Sequence, residues 1–439
     1  MGISMLKRKV DTLLQSWKEK PDHKALILQG ARQVGKTYSV REFGKENYAE
    51  YVEINFKEMP DADTIFRGNL DVDTMLLGLR FRFPQNKFPE KNTLIFLDEI
   101  QECPEAITSL KFWTIDGRFD VIASGSLLGI DYKRPTSYPV GYVSYLRMFA
   151  LDFEEFLWAK GIDAQMIGAL RLFFINRQMV PEAVNRQMMD LFRVFVSIGG
   201  MPEVVQSYID TGFFTEPYKR QQELLQGYYY DIAHYAPAAE KIKAENCYRS
   251  IARQLLAKEN HKFQYKEVEK KGAARKYGSS IDWLIAADMA VKCFNVTSPE
   301  KELEDYEISD NFRVYTTDIG MITGARNFSL KQDIIEARIL GNTAGGIYEA
   351  AIADVLIKKG LPLHFLKDDQ KNLEIEFLAE IGEGIVPIEV KAGRNKATSM
   401  IRMMKKHPEI RTAYKFTDGN VGVSNEGVVT MPHYMAMFL

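Results

Sequence analysis

Cysteine is scarce in this chain. There are three, Cys103, Cys247 and Cys293, far apart and without a CxxC pair. That spacing argues against a disulfide framework and against a structural zinc site. The six histidines are scattered and form no HExxH. Charge of one sign is also missing: 57 Lys and Arg face 59 Asp and Glu, for a formal net charge of −2. A histone-like or polybasic protein is disfavoured, although a local basic patch is not. Long hydrophobic runs are absent. The best stretch, Ile281 to Phe294, is broken by Asp282, Asp288 and Lys292, so no membrane-spanning segment is expected. The opening MGISMLKRKVDTLLQSW has no apolar signal-peptide core. A reduced, cytoplasmic setting is the expectation. No internal repeat or low-complexity tract stands out.

What is present is the mix of a globular protein: 46% hydrophobic and 26% charged residues over 439 positions. That length suggests about three domains. The first part alternates strands and helices. Apolar or alternating runs at Ala25 to Gln29, Tyr51 to Asn55, Thr93 to Leu97 and Asp120 to Ala123 predict four strands. Helical patterns lie between them, which implies a mainly parallel α/β sheet. From Phe153 the pattern turns helical, and a long helical tract is expected to run past Gly199-Gly200. Three helical patterns and a strand, Ala290 to Val296, follow. A helix over Gly346 to Lys359 then precedes a strand at Leu363 to Leu366. Leu373 to Ala379 and Ile385 to Val390 read as a hairpin around Gly382 and Gly384.

The chemistry starts after the first strand. Gly30-Ala31-Arg32-Gln33-Val34-Gly35-Lys36-Thr37 fits GxxxxGK[ST], between a strand and a helix as that motif requires. Its glycines let the backbone curl so that N–H groups face phosphate oxygens, and the helix N-terminus adds a favourable dipole. Residues 30–37 with Tyr38 are the expected nucleotide contacts. Lys36 is expected on the β- and γ-phosphates and Thr37 on Mg²⁺. The bland reading is a glycine-rich turn. Against it stands Leu94-Ile95-Phe96-Leu97-Asp98-Glu99, a hydrophobic strand that ends in two acids beside the loop. Asp98 would hold Mg²⁺ through its water shell, and Glu99 would orient the attacking water. The next strand ends in Ala123-Ser124-Gly125-Ser126, where Ser124 or Ser126 could reach the water or the γ-phosphate.

These motifs resemble AAA-family ATPases of the archaeal-ATPase-like group, which carry a C-terminal domain of unknown function. The carriers are GARQVGKT, LIFLDEIQ, ASGSLLG and MFALDFEEFLWAKG, and downstream SIDWLIAADMAVKCFNV, FRVYTTDIGMI, GGIYEAAIADVL and PIEVKAG. The resemblance implies a P-loop α/β domain over 1–165, a helical region over 166–240, a winged-helix-like domain over 241–325 and a small α/β nuclease-like domain over 326–439. One departure stands out. Many members have a Gly-Arg pair before the DFEEF-like segment, a candidate arginine finger, and here the pair is Gly141-Tyr142. Arg134 and Arg147 are the nearest arginines, and a solvated surface charge is the plain reading of each. Without a finger, hydrolysis in P-loop proteins is slow, so a slow switch competes with a motor.

Two further segments suggest sites. Lys258, Lys262, Lys266, Lys270, Lys271, Arg275 and Lys276 form a basic stretch opposed only by Glu259, Glu267 and Glu269. The helix–helix–helix–strand order there resembles a winged helix with Ala273 to Ala287 as its recognition helix. Arg275, Lys276, Ser279 and Ser280 would then touch DNA phosphates or base edges; a basic face for protein contacts is the alternative. Farther on, Glu349 on a helix, Glu376 on a strand and Glu389-Val390-Lys391 on the next strand resemble the PD-(D/E)XK nuclease-like core, where carboxylates bind Mg²⁺ and the lysine holds the water. Most members have Asp where this chain has Glu376. Active nuclease chemistry and a degenerate fold used for binding both stay open. The expectation overall is a Mg²⁺-dependent ATPase with ATP as ligand, a DNA or protein partner, and an oligomer as an option. Its rivals are a nucleotide-gated binding switch and an ATP-regulated nuclease.

Overall fold

A computed structural model describes residues 6–125, 139–257, 262–370, 372–391 and 397–439. The chain divides into two compact units, Met1–Ala150 with Ala286–Asp288, and Leu151–Ile285 with Met289–Leu439. No helix among the described residues is long and apolar enough to cross a membrane.

The first unit is an α/β layer structure. Its strands are β1 (Ala25–Gln29), β2 (Glu50–Asn55), β3 (Thr93–Asp98), β4 (Asp120–Gly125) and β5 (Val143–Arg147). They form one sheet in the order β2-β3-β4-β1-β5, with every pairing parallel. Helices α1 (Lys9–Lys18), α2 (Lys36–Asn47), α3 (Val72–Arg82) and α4 (Pro104–Asp116) complete it. A parallel sheet is covered on both faces, so its inner strands are apolar throughout. β3 is buried at every position. On one face Ile27, Ile95 and Val121 pack with Ile107, Leu110 and Trp113 of α4. The four strands expected from sequence are present. The fifth, β5, was not expected: it is an edge strand, buried only at Val143, and its half-polar VSYLR lacks a core strand's apolar run.

The second unit opens with helices α5 (Phe153–Ala159), α6 (Ala164–Asn176), α7 (Glu182–Ile198), α8 (Pro202–Thr211) and α9 (Thr215–Tyr235). The helical tract expected to run past Gly199-Gly200 does so as separate helices, and the joint between α7 and α8 is glycine for a steric reason. A Cβ on Gly199 would lie 2.2 Å from Asp318 Oδ1, and one on Gly200 would lie 1.9 Å from the Leu151 carbonyl oxygen. Next come α10 (Lys241–Ala257), α11 (Tyr265–Val268), α12 (Ala274–Ala286), β6 (Ala290–Val296) and β7 (Glu307–Thr316). Then follow α13 (Ile319–Gly324), α14 (Phe328–Ile335), α15 (Gly341–Lys358), β8 (Leu363–Asp368), β9 (Leu373–Ile381) and β10 (Gly384–Val390). The chain closes with α16 (Thr398–Lys406), β11 (Ala413–Thr417), β12 (Gly422–Val423) and β13 (Val428–Pro432).

One eight-stranded mixed sheet gathers β6 to β13 in the order β12-β13-β11-β10-β9-β8-β6-β7. The β9–β10 hairpin is antiparallel, with Ile388 opposite Phe377. The β6–β7 hairpin is not a free-standing wing, because β6 also pairs in parallel with β8. The boundary expected at 325/326 therefore falls inside one sheet and one compact unit. α15 begins at Gly341, five residues before the expected start, and is buried on nearly all sides, as a central apolar helix should be.

Candidate functional site

Four strand ends meet at one edge of the first unit's sheet. β1 leads into the loop at Gly30, β3 ends in Asp98, β4 carries Ser124 and β2 ends in Asn55. Parallel strands deliver all their carboxyl ends to the same edge, where α/β sheets bind ligands. Register brings them side by side: Asn55 lies opposite Asp98, and Leu28 opposite Ser124.

The loop is tightly curled. Gly30 and Gly35 have φ of +148° and +99°, and Gln33 has +63°. A Cβ at Gly30 would sit 2.1 Å from the Met148 carbonyl oxygen, so only glycine lets that backbone pass. Lys36 is 8% exposed. Its ammonium donates to the carbonyls of Gly30 (2.8 Å) and Ala31 (2.7 Å). Burial pushes its pKa down to about 8, against the opposing pull of Glu99 and Asp98. Ala31 and Val34 are buried, Arg32 is half-buried, and Tyr38 is exposed on α2.

Asp98 is the hub. Thr37 Oγ1 donates to its Oδ2 at 2.9 Å and Asn55 Nδ2 does so at 3.2 Å. The Ser124 hydroxyl and the Glu99 N–H donate to Oδ1. Burial raises the Asp98 pKa, and the bonds from Ser124 and Thr37 work the other way. Ser124 is fully buried. Its hydroxyl is thus spent on orienting Asp98, where the sequence had suggested a reach toward water or phosphate. The Thr37 hydroxyl and the Asp98 carboxylate are two hard oxygen donors in contact, the kind of set that suits Mg²⁺. Glu99 is in the left-handed region at φ +52°. Its carboxylate pairs with Lys57 at 2.7 Å and accepts from Gln101. Burial alone would raise its pKa, but Lys57 and Gln101 hold it below the ordinary carboxylate value.

Sequence reasoning missed Asn55 and Lys57. A polar residue closing the second strand was the available signal for Asn55. Lys57 lies in a turn, and nothing local announces its partner. Arg147 is half-exposed on β5. Ser126, Arg134 and Lys258 lie outside the described residues.

In the second unit, the expected acid site is only partly assembled. Glu376, Glu389 and Lys391 line one pocket of about 390 Å³ with Glu374, Thr398 and Ser399. The Lys391 ammonium donates to Glu376. Glu389 is 2% exposed, and its Oε2 has no hydrogen-bond partner, nor has Glu376 Oε2. Burial, and then the Glu376 charge, push the Glu389 pKa up to about 7. Glu349 is tied to β7. Buried Arg313 of β7 donates to it at 2.8 Å and to Glu374 at 2.9 Å, and the Tyr315 hydroxyl donates to it as well. That pairing sets Glu349 against a buried guanidinium, whose charge it already balances. Among the described residues no three His, Cys, Asp or Glu side chains are grouped to hold a metal ion.

The basic segment is also partly committed. Ser280 is fully buried and donates to Glu240, so the expected DNA contact at Ser280 is corrected. Ser279 is exposed. Lys276 pairs with Glu269 at the surface, and Arg275 is exposed.

Comparison with known proteins agrees with the first unit's geometry. Residues 22–157 match the family model of an AAA domain. Residues 189–332 and 344–434 match two domains of unknown function, DUF8612 and DUF4143. No curated protein matches the chain. Among solved structures, a Walker-type ATPase of Pyrococcus abyssi aligns at 15% identity and TM-score 0.44, over 74% of this chain and 96% of its own. The Aeropyrum pernix ORC1 protein in complex with DNA aligns at 12% identity and TM-score 0.31, over 77% and 95%. AMPPCP-bound DnaA of Aquifex aeolicus aligns at 15% identity and TM-score 0.28, over 64% and 85%. With TM-scores this low, the likenesses assign no function.

Proposed function

We propose that the AAA-type first unit binds ATP with Mg²⁺ and hydrolyses it, so that nucleotide state gates a conformational change directed at DNA or a protein partner. The observation that carries this reading is the contact of Thr37 with Asp98 beside a curled loop bearing Lys36. Lys36 now neutralises two carbonyl dipoles, and a triphosphate would offer its ammonium full charges instead. Thr37 and Asp98 would hold Mg²⁺, which neutralises phosphate charge when bound. Glu99 would accept a proton from the attacking water. Gly141-Tyr142 in place of a Gly-Arg pair, and the Lys57 grip on Glu99, favour slow turnover and hence a switch. Exposed Arg275 and Lys276 support a nucleic-acid or acidic-protein partner for the second unit.

Phosphate release from the purified chain and from Lys36→Ala tests the reading. The variant is expected to fall at least about a hundredfold, as losses of charged transition-state contacts do. Equal rates would sink hydrolysis at this loop. Tight ATP binding with no release by the wild type would leave the gated switch.

A second reading concerns Glu376 and Glu389. Their two unpartnered buried oxygens support a divalent cation in that pocket. Because the folded pKa of Glu389 is raised, its protonated form stabilises the fold at low pH. That stability is lost as pH rises from the ordinary carboxylate value, about 4.5, through about 7. Glu389→Gln is therefore expected to be more stable than wild type at pH 8 by about 3 kcal/mol, and to gain little at pH 4. Mn²⁺ should raise the melting temperature of the wild type and not of the variant. Equal responses would remove the cation.

A further inference from the structure

Arg8 stands ahead of the first strand and outside residues 22–157, the span matched by the AAA domain model. No motif marks it, yet it is 6% exposed. Its Nη1 donates to the Val34 carbonyl at 2.9 Å and its Nη2 to the Phe149 carbonyl at 2.7 Å. Val34 is in the phosphate loop. Phe149 follows β5, and between them the Met148 N–H donates at 2.8 Å to the carbonyl of Gln29, the last residue of β1 before the loop. The Arg8 backbone is itself anchored, since its N–H donates to Asp11 Oδ2 at 3.0 Å at the start of α1.

A buried guanidinium that joins two carbonyls 115 residues apart in sequence does more than fill space. A trans peptide sets its C=O and the following N–H on opposite sides. Holding the Val34 oxygen toward Arg8 therefore turns the Gly35 N–H away from it. Gly35 is the loop residue that caps α2, and the free N–H groups at such a helix start are the donors that bind phosphate. One N–H of the planar guanidinium holds Phe149, which fixes the direction of the N–H given to Val34; an ammonium, whose donors rotate, sets that direction less well.

We propose that Arg8 is a positioning residue of the nucleotide site. It sets the Val34–Gly35 peptide so that the loop's N–H groups are oriented for phosphate before nucleotide arrives. The proposal rests on the reading that this loop takes ATP. Preorganisation of donors that touch the β-phosphate acts on ATP and ADP alike, and on ground and transition states alike. It therefore appears in binding and KM rather than in kcat.

The test is calorimetric titration of ATP and ADP into wild type, Arg8→Met, Arg8→Lys and Lys36→Ala, with melting curves and steady-state kinetics for each. Arg8→Met is expected to lose about tenfold in affinity for both nucleotides, the loss typical of one charge-assisted hydrogen bond. Its KM should rise by a similar factor, with kcat within about twofold. Arg8→Lys should fall between it and wild type. A folded Arg8→Met with wild-type affinity would overturn the proposal, as would a loss confined to kcat. If Arg8→Met does not fold, Arg8→Lys decides, and unchanged affinity there overturns the clamp. Failure of the ATP reading looks different: wild type and Lys36→Ala would then bind nucleotide equally poorly, which overturns both.

Discussion

Glu99→Gln is expected to keep ATP bound and to slow phosphate release by about a hundredfold or more, the usual contribution of a positioned general base. The amide has nearly the same shape, so the loop, Thr37 and Asp98 stay as they are. What is lost is the ability to accept a proton. The neighbours of Glu99 constrain it in this proposed role. Lys57 pairs with Glu99 at 2.7 Å and, with Gln101, lowers its pKa. A base with a lowered pKa stays ionised at more acidic pH but accepts a proton less readily. Lys57→Met removes the cation while burial, which raises the pKa, remains. The acid limb of the kcat/KM profile is then expected to move to higher pH, and the plateau rate to rise. Rates measured from pH 5 to 9 on both variants check this. An unchanged rate in Glu99→Gln would remove Glu99 from the chemistry, and an unmoved limb in Lys57→Met would remove the coupling.

Lys358→Met is expected to destabilise the second unit by about 3–5 kcal/mol, the cost of leaving buried charge without its partner. Lys358 is 2% exposed and lies 2.9 Å from Asp318 and 2.8 Å from Asp354, themselves 2% exposed. Burial works against the ammonium, but the two carboxylates more than offset it and raise its pKa. The same ammonium donates to the Leu151 carbonyl at 3.0 Å. Asp318 accepts the N–H groups of Gly200 and Gly320 at 2.8 Å each, and Asp354 accepts that of Ile319 at 2.9 Å. One substitution would thus expose two carboxylates and loosen the joints of α7, α13 and α15. Urea unfolding curves at neutral pH measure the loss. A change under about 1 kcal/mol, the size of a surface pair, would show that the network carries little. Asp354→Asn added to Lys358→Met should recover part of the loss, because it removes one of the two orphaned charges.

How much was legible depends on how each feature is encoded. The loop from Gly30 to Thr37 and the strand ending in Asp98-Glu99 are contiguous, so their composition and order were enough to locate them. The β9–β10 hairpin was readable for the same reason. Period-two alternation puts Glu374 and Glu376 on one face and leaves Ile375 and Phe377, both fully buried, on the other. β5 was missed because an edge strand needs only one apolar side, which leaves too weak a pattern. The partner of Glu349 is invisible locally. Arg313 reaches it from 36 positions away in the chain, and the strand that carries Arg313 reads as part of the preceding module.

By itself, then, the sequence determined the α/β class of the first unit, the phosphate loop, the acidic strand end and the C-terminal hairpin. Each is set by neighbours in the chain, through backbone conformation and alternation. Only the tertiary structure decided that Ser124 and Asn55 serve Asp98, that Lys57 holds Glu99, that Arg8 grips the loop and that Arg313 claims Glu349. It also decided that β6 and β7 join the C-terminal strands in one sheet. Those are meetings of charged and polar groups across long sequence separations. Their strength comes from burial and exact hydrogen-bond geometry, which exist only once the chain has packed.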